Sequence, residues 1–415
     1  GQRQLLSRFH PHETVKSHTL DWEYLADGRP KLQRLPRGAR IEYVWDALDR
    51  LAKVRFVDPK GVARNVVDTL LYRKTGALDS IRLGNGVGQK FAYDSSRGML
   101  TSEQVVGKAG QIFGNRRDHY DDAARLVDRT RMDGQRVDFG YDALDRLNTV
   151  RYGTGNQAGT SNLTYSWDDN GSMTRIVHDY GRTDWTQVGS TGRVATSIGA
   201  QDGKSDWGYD WAGRLGYRKW VSALSDTATR EMRQYRWNGA EELERFTRLQ
   251  AASGTTTRTT DQFGFAYGDH GLRVGKYRGA PNGSDTVWTQ ERRSVWDGPD
   301  VVADSTAGDS AWRYRVVLGL NATAEARRDS TGAWRLTYQV NDPVGTPELL
   351  LDDSGNVVAT YAHDPFGNLE DYQGSRETEF RFGGREWDPD LQAGVFGYRL
   401  YDPEMGAFLT HDPMG

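Results

Sequence analysis

The side chains that recur together most often in this chain are an aspartate and, four positions on, an arginine. They sit in a repeated phrase: an aromatic residue, Asp, two variable residues, a small turn residue, Arg and an aliphatic residue. It reads Trp45-Asp46-Ala47-Leu48-Asp49-Arg50-Leu51 and again Tyr141-Asp142-Ala143-Leu144-Asp145-Arg146-Leu147. Looser copies begin at Asp94, Asp121, Asp168 and Asp210. Carboxylates do acid–base work when two share a site and one stays protonated. Spacings mostly near 21 or 27 residues do not place two of these on one turn, so they read as structural turn residues. A carboxylate that begins a turn can accept a hydrogen bond from the backbone N–H two residues on. The arginine then pairs with a neighbouring carboxylate in a solvated contact of small value.

Other candidate chemistry is sparse. The chain has no cysteine, which excludes disulfides and thiolate metal sites. Its eight histidines show no metal-ligand spacing, and no cofactor is expected. His411 adjoins Asp412, but no nucleophilic Ser or Cys motif accompanies them. The stretch Asp352-Asp353-Ser354-Gly355-Asn356 lacks the alternating ligands and closing Glu of a calcium loop and reads as a β-turn. Exposed tyrosine and tryptophan could bind carbohydrate, although stacking between strands is the commoner use of such residues.

These residues need an element that repeats. Gln135-Arg136-Val137-Asp138-Phe139-Gly140-Tyr141 alternates apolar and polar side chains, as does Leu147 to Tyr152, which is the period of a half-buried strand. Asp142 to Arg146 between them carries turn chemistry, and the position of Asp145 calls for positive φ. Each copy is therefore a hairpin, and the chain is an all-β array. With 415 residues, 48 glycines, 20 tyrosines, 13 tryptophans and a net charge of −3, it is neither disordered nor basic enough to suggest nucleic acid. No run reaches the roughly 18 apolar residues of a membrane span. Gly1 rather than Met heads the sequence and no signal peptide is visible, so a piece of a longer protein is expected. Residues 153–162, 252–260 and 279–287, rich in turn formers, predict long loops. A propeller of Trp-Asp blades is the architectural rival, at Trp45, Trp167, Trp296 and Trp387, but these dipeptides open turns rather than close strands.

From about Gln339 the texture changes, through Asp364-Pro365-Phe366-Gly367-Asn368 to Arg399-Leu400-Tyr401-Asp402-Pro403-Glu404-Met405-Gly406-Ala407-Phe408-Leu409-Thr410-His411-Asp412-Pro413-Met414-Gly415. The repeated phrase resembles the tyrosine–aspartate (YD) repeat of rearrangement-hotspot (RHS) proteins, and residues 399–415 resemble, almost position by position, the run that ends their RHS-repeat-associated core. The resemblance implies a spiralling hairpin sheet that forms a hollow shell or part of one, with repeats over 1–338 and the core, a C-terminal plug, over 339–415. It further implies a secreted or cell-delivered bacterial polymorphic toxin. Its partners would be its own C-terminal toxin domain as cargo and an N-terminal plug or secretion-spike proteins. The core of such proteins cuts its own chain as an aspartic protease. Arg399 and Asp412 match two of its catalytic positions, whereas the second Asp-Pro-x-Gly falls beyond Gly415. An adhesion or wall-binding module that reads glycans is the alternative, and a free-standing hydrolase a weaker third.

Overall fold

A computed structural model describes the chain apart from residues 1, 5–17, 155–160, 179–182, 189–193, 200–202, 222–228, 252–256, 269–270, 283–284, 307–310, 319–320 and 412–415. The regular structure of the described residues is antiparallel strand apart from two single-turn 3₁₀ segments, Pro36–Gly38 and Phe382–Gly384. Among them no helix is long and apolar enough to cross a membrane.

The repeated phrase folds as expected from its turn chemistry, and with more regularity. The Asp46 N–H donates to Arg50 O at 2.8 Å and the Asp49 N–H to Asp46 O at 3.1 Å. Asp49 and Asp145 take φ of 61° and 60°, and Gly171 and Gly213 fill the same slot at 83° and 81°. The strand register shifts at each preceding aromatic, between Val44 and Trp45 and between Gly140 and Tyr141. This is a type I turn closed by a left-handed residue and a bulge, one of the standard short hairpin connections.

What the sequence does not display is the join between successive phrases. In several phrases the aromatic before the turn reaches back to the strand that follows the previous turn. Trp45 Nε1 donates to Pro30 O at 2.9 Å, Tyr72 Oη to Leu51 O at 2.8 Å, Tyr141 Oη to Leu126 O at 2.8 Å and Trp167 Nε1 to Leu147 O at 2.8 Å. The preceding turn's arginine lies over the same ring: Arg29 over Trp45 at 5.3 Å, Arg50 over Tyr72 at 4.9 Å and Arg125 over Tyr141 at 5.2 Å. Where this bond forms the ring must carry a donor, which suits Tyr and Trp and not Phe. These phrases are thus bonded to their neighbours as well as to themselves, the nearest-neighbour coupling of a linear array.

The chain divides into two compact units: Gly1–Gly114, Phe265–Tyr277 and Thr289–Glu404 form one, and Asn115–Gly264, Arg278–Trp288 and Met405–Gly415 the other. In the first, early strands lie against late ones through packed aromatics: Phe56 meets Tyr314 and Trp334, both at 5.7 Å between centroids. Tyr314 Oη donates to Pro36 O at 3.0 Å and Tyr338 Oη to Asn65 O at 3.0 Å. In the second, Phe246 packs between Tyr235 and Phe263, and Arg218 lies between Trp207 and Trp220 at 4.1 and 3.5 Å.

Of the stretches expected as long loops, residues 155–160, 252–256 and 283–284 lie outside the described residues, and much of the remainder is strand. The strand Leu147–Thr154 runs into the first, Thr257–Tyr267 begins within the second, and the third is mostly the strands Arg273–Asn282 and Asp285–Asp297. Pro281 falls near a strand end, where a missing N–H is tolerated.

Candidate functional site

Six turn aspartates were singled out from the sequence, and the structure places each at the head of a hairpin turn. The Asp46 carboxylate accepts the N–H groups of Leu48 and Arg50 on one oxygen and Arg50 Nε on the other, at 2.8–3.0 Å. Asp142 and Asp210 repeat this with Arg146 and Arg214, and Asp121 holds Arg125 in the same way. Asp168 has no such arginine and accepts from the N–H groups of Asn170 and Ser172. The Asp94 turn is one residue longer and binds Ser96 and Arg97. The Arg50 and Arg146 N–H bonds, then the guanidinium contacts, lower the pKa of Asp46 and Asp142. The Ser96 hydroxyl does the same for Asp94. Groups held this way are ionised at neutral pH, and their partners are satisfied within the repeat.

Arg399 heads the strand Arg399–Asp402, which pairs with Ala393–Phe396 in the register Phe396↔Arg399, Val395↔Leu400 and Gly394↔Tyr401. That strand in turn pairs with Glu386–Asp388. Tyr401 is buried and locks the run in place. Its ring meets Phe382 at 5.6 Å and Phe396 at 5.4 Å, and its hydroxyl donates to Phe366 O at 2.9 Å. Asn368 Nδ2 donates to Pro403 O at 2.9 Å. Asp412 lies outside the described residues, so the structure gives no geometry between it and Arg399. Among the described residues no cluster of three His, Cys, Asp or Glu could hold a metal.

The sequence reading passed over Asp364, the turn residue against which the closing run packs. Its turn is built like the others, with Phe366 and Asn368 N–H groups donating to one oxygen at 2.8 and 2.9 Å. The fourth position after it is Asn368 instead of Arg, and Asn368 Nδ2 donates to the other oxygen at 2.8 Å. Burial without a cation pushes the Asp364 carboxyl up to about 6. A carboxyl whose folded pKa exceeds its unfolded value adds stability below the unfolded pKa, and this is lost as pH rises through the folded one. Raising the pH from 4 to 7 should therefore weaken the wild-type fold by on the order of 2 kcal/mol relative to Asp364→Asn. Urea unfolding of both chains at the two pH values measures that difference, and parallel pH dependences would contradict it.

Two other carboxyls missed from sequence are Asp297 and Asp300, which face each other across a hairpin end. Burial raises both, and for Asp297 the charge of Asp300 adds to the effect. Gln33 Nε2 donates to Asp297 at 3.0 Å and Arg385 Nη1 to Asp300 at 2.9 Å. A Trp-Asp-Gly-Pro-Asp stretch was the available signal.

No family model matches the chain. It is similar over 98% of its length, at 25% identity, to the double-stranded DNA deaminase toxin A of Burkholderia cenocepacia, of which it covers 33%. It is 22% identical over 86% of its length to the probable deoxyribonuclease RhsB of Dickeya dadantii, covering 25% of that protein. The chain thus spans a quarter to a third of these relatives. Its fold matches that of a chain in the Tc holotoxin pore of Photorhabdus luminescens with a TM-score of 0.74 at 16% identity, over 97% of this chain and 20% of that one. The aromatic-Asp hairpins, the closing run from Arg399, and similarity along most of the length to a deaminase toxin and to a probable deoxyribonuclease named RhsB support an RHS (YD-repeat) protein.

Proposed function

We propose that this chain is a wall segment of an RHS shell that encloses and delivers a C-terminal toxin domain, with 1–338 as wall and 339–415 as the core that closes it. The observation that carries the reading is the alignment of 98% of the chain with one third of a named toxin, which leaves most of that relative's length for other parts. The repeat lattice suits the role. Hairpins that bond to their neighbours can extend a wall without exposing long unpaired edges. In the intact protein Arg399 would hold or polarise the scissile segment, Asp412 would supply one carboxylate, and a further Asp the other, giving self-cleavage of aspartic type. The cargo would be the protein's own C-terminal domain, with an N-terminal plug or secretion-spike protein as further partners and export or delivery into a target cell as destination.

Glycan adhesion is less favoured by the site chemistry. The repeat aromatics that would read sugars are turned to backbone carbonyls and guanidinium groups of the adjoining phrase. Trp211 at a turn tip, 95% exposed, is an exception.

In the full-length protein, Asp412→Asn should leave the chain uncut on a denaturing gel, while the wild type separates into shell and cargo. Processing that continues in the variant removes Asp412 from the mechanism. Cargo that trypsin digests as fast in the native protein as after unfolding removes enclosure.

A further inference from the structure

The segment Glu379 to Asp390 enters the first unit carrying acids, and the strands it lies on carry cations. Arg273 Nη1 and Nη2 bind Asp388 and Glu386, both at 2.7 Å. Lys276 Nζ binds Asp388 at 2.7 Å and Asp390 at 2.5 Å. Arg292 Nη1 lies 2.9 Å from both Glu386 and Glu379. Arg313 Nη1 binds Glu379 at 2.6 Å.

Beneath them Asp304, fully buried, takes Arg292, Arg313 and Arg315, each at 2.6 Å. Five cations thus meet five carboxylates, four of the latter on the terminal segment. Tyr267 acts on Arg273, and Glu325 stands 3.5 Å from Arg315 at the rim. Trp387 N–H donates to Glu379 O at 2.7 Å, and Arg315 lies over Phe380 at 4.4 Å, which fixes the segment in this register.

We propose that this charge-matched network is a clasp that seats the terminal strands bearing Arg399 permanently on the wall, and that it does not open in mild acid or high salt. Neither face is stable alone. Lifting the segment would leave the five cations with Asp304 as their one remaining partner in the network, and strip four carboxylates, of which Glu386 and Asp388 are buried, of their cations; each unpaired buried ion is costly. Burial opposes the charged forms of Asp304 and Asp388, but the guanidinium groups and Lys276 outweigh it and hold both well below the usual carboxylate range. Glu379 is lowered on the same balance. Groups with depressed folded pKa contribute stability present above about pH 4 and lost only as pH falls through the folded value. Asp364, the nearby carboxyl that does titrate near pH 6, gains stability on protonation. Buried pairs are also screened little by salt. The clasp stands whether or not the chain cleaves itself. It directs any opening for release to another part of the molecule.

Hydrogen exchange of the chain, followed in the peptide covering 386–396 and corrected for intrinsic rate, tests this. Protection should fall by no more than about threefold between pH 7.5 and pH 4.5 and between 0.1 and 1 M sodium chloride, and protonation of Asp364 can only raise it. Loss of protection at pH 4.5 or in high salt would overturn the proposal. Asp388→Asn removes the one carboxylate shared by Arg273 and Lys276, leaving Arg273 to Glu386 and Lys276 to the part-exposed Asp390, and should raise exchange in this peptide ~100-fold or more. Lys276→Met, which keeps the Arg273–Asp388 pair, should raise it less. An Asp388→Asn chain with unchanged exchange would show that the charges hold nothing, and would also overturn it. If that variant does not fold, the wild-type pH and salt series still decides.

Discussion

Replacing Asp304 with alanine is expected to lower the stability of the first unit by about 3–5 kcal/mol, the range for removing one member of a buried ion group. Asp304 is fully buried on the strand Asp300–Thr306, and its two oxygens are shared among Arg292, Arg313 and Arg315. Removing it leaves the fully buried Arg315 and the mostly buried Arg292 and Arg313 around a void, with Glu379, Glu386 and the rim residue Glu325 as their remaining carboxylates. Asp304→Asn should fare little better, because the charge and not the shape is what the guanidinium groups require. Asp142→Ala is the control. Its carboxylate and Arg146 are both about a quarter exposed, so its loss should remove one turn's hydrogen bonds and about 1 kcal/mol. Urea unfolding followed by tryptophan fluorescence compares them. Equal midpoints for Asp304→Ala and Asp142→Ala would mean that the buried network contributes nothing beyond an ordinary turn.

The contrast between those two aspartates also marks how far the sequence could be read. Local order was legible. Asp at the head of a turn, Gly or Asp at the left-handed position, Arg next and alternating flanks describe a hairpin within seven residues, and Asp46, Asp142 and Asp210 adopt it. The bonds from Trp45, Tyr72 and Tyr141 to the previous phrase were not legible, since they join residues 15–21 apart and only a recurring preference for rings with a donor hints at them. The clasp was invisible. Arg273 and Glu386 are 113 positions apart, and neither lies in a motif. A lone Arg or Glu in a strand looks like a solvated charge until a distant segment buries it. Of the catalytic pair implied by the resemblance, Arg399 has a defined strand position, while Asp412 lies outside the described residues. Asp364 is legible in the sequence as one turn of the C-terminal stretch, but not as a carboxyl with shifted ionisation. Exchanging Arg for Asn at its fourth position changes the electrostatics without changing the turn.

Glycine substitutions should sort in the same way, by distant contact and not by local conformation. Gly84→Ala is expected to cost well over 3 kcal/mol, beyond the usual penalty of overpacking. A Cβ at this position would lie 1.7 Å from the carbonyl oxygen of Asn65, 2.5 Å from its carbon and 2.9 Å from Tyr338 Oη. None of these can swing aside cheaply. The Asn65 carbonyl is backbone and already accepts Tyr338 Oη, and the Gly84 N–H donates to Val66 O at 3.0 Å. Separating the strands enough for a methyl would break both bonds and open the packing under Tyr338, itself buried. Gly110, by contrast, has φ of 85° and nothing within 4 Å of its Cβ position. Gly110→Ala meets only left-handed backbone strain, about 1 kcal/mol. Sequence context alone ranks Gly110, inside a tight turn, as the more demanding site. A thermal unfolding series should reverse that order, and a Gly84→Ala chain as stable as Gly110→Ala would mean that the Asn65 carbonyl is not where the first unit places it.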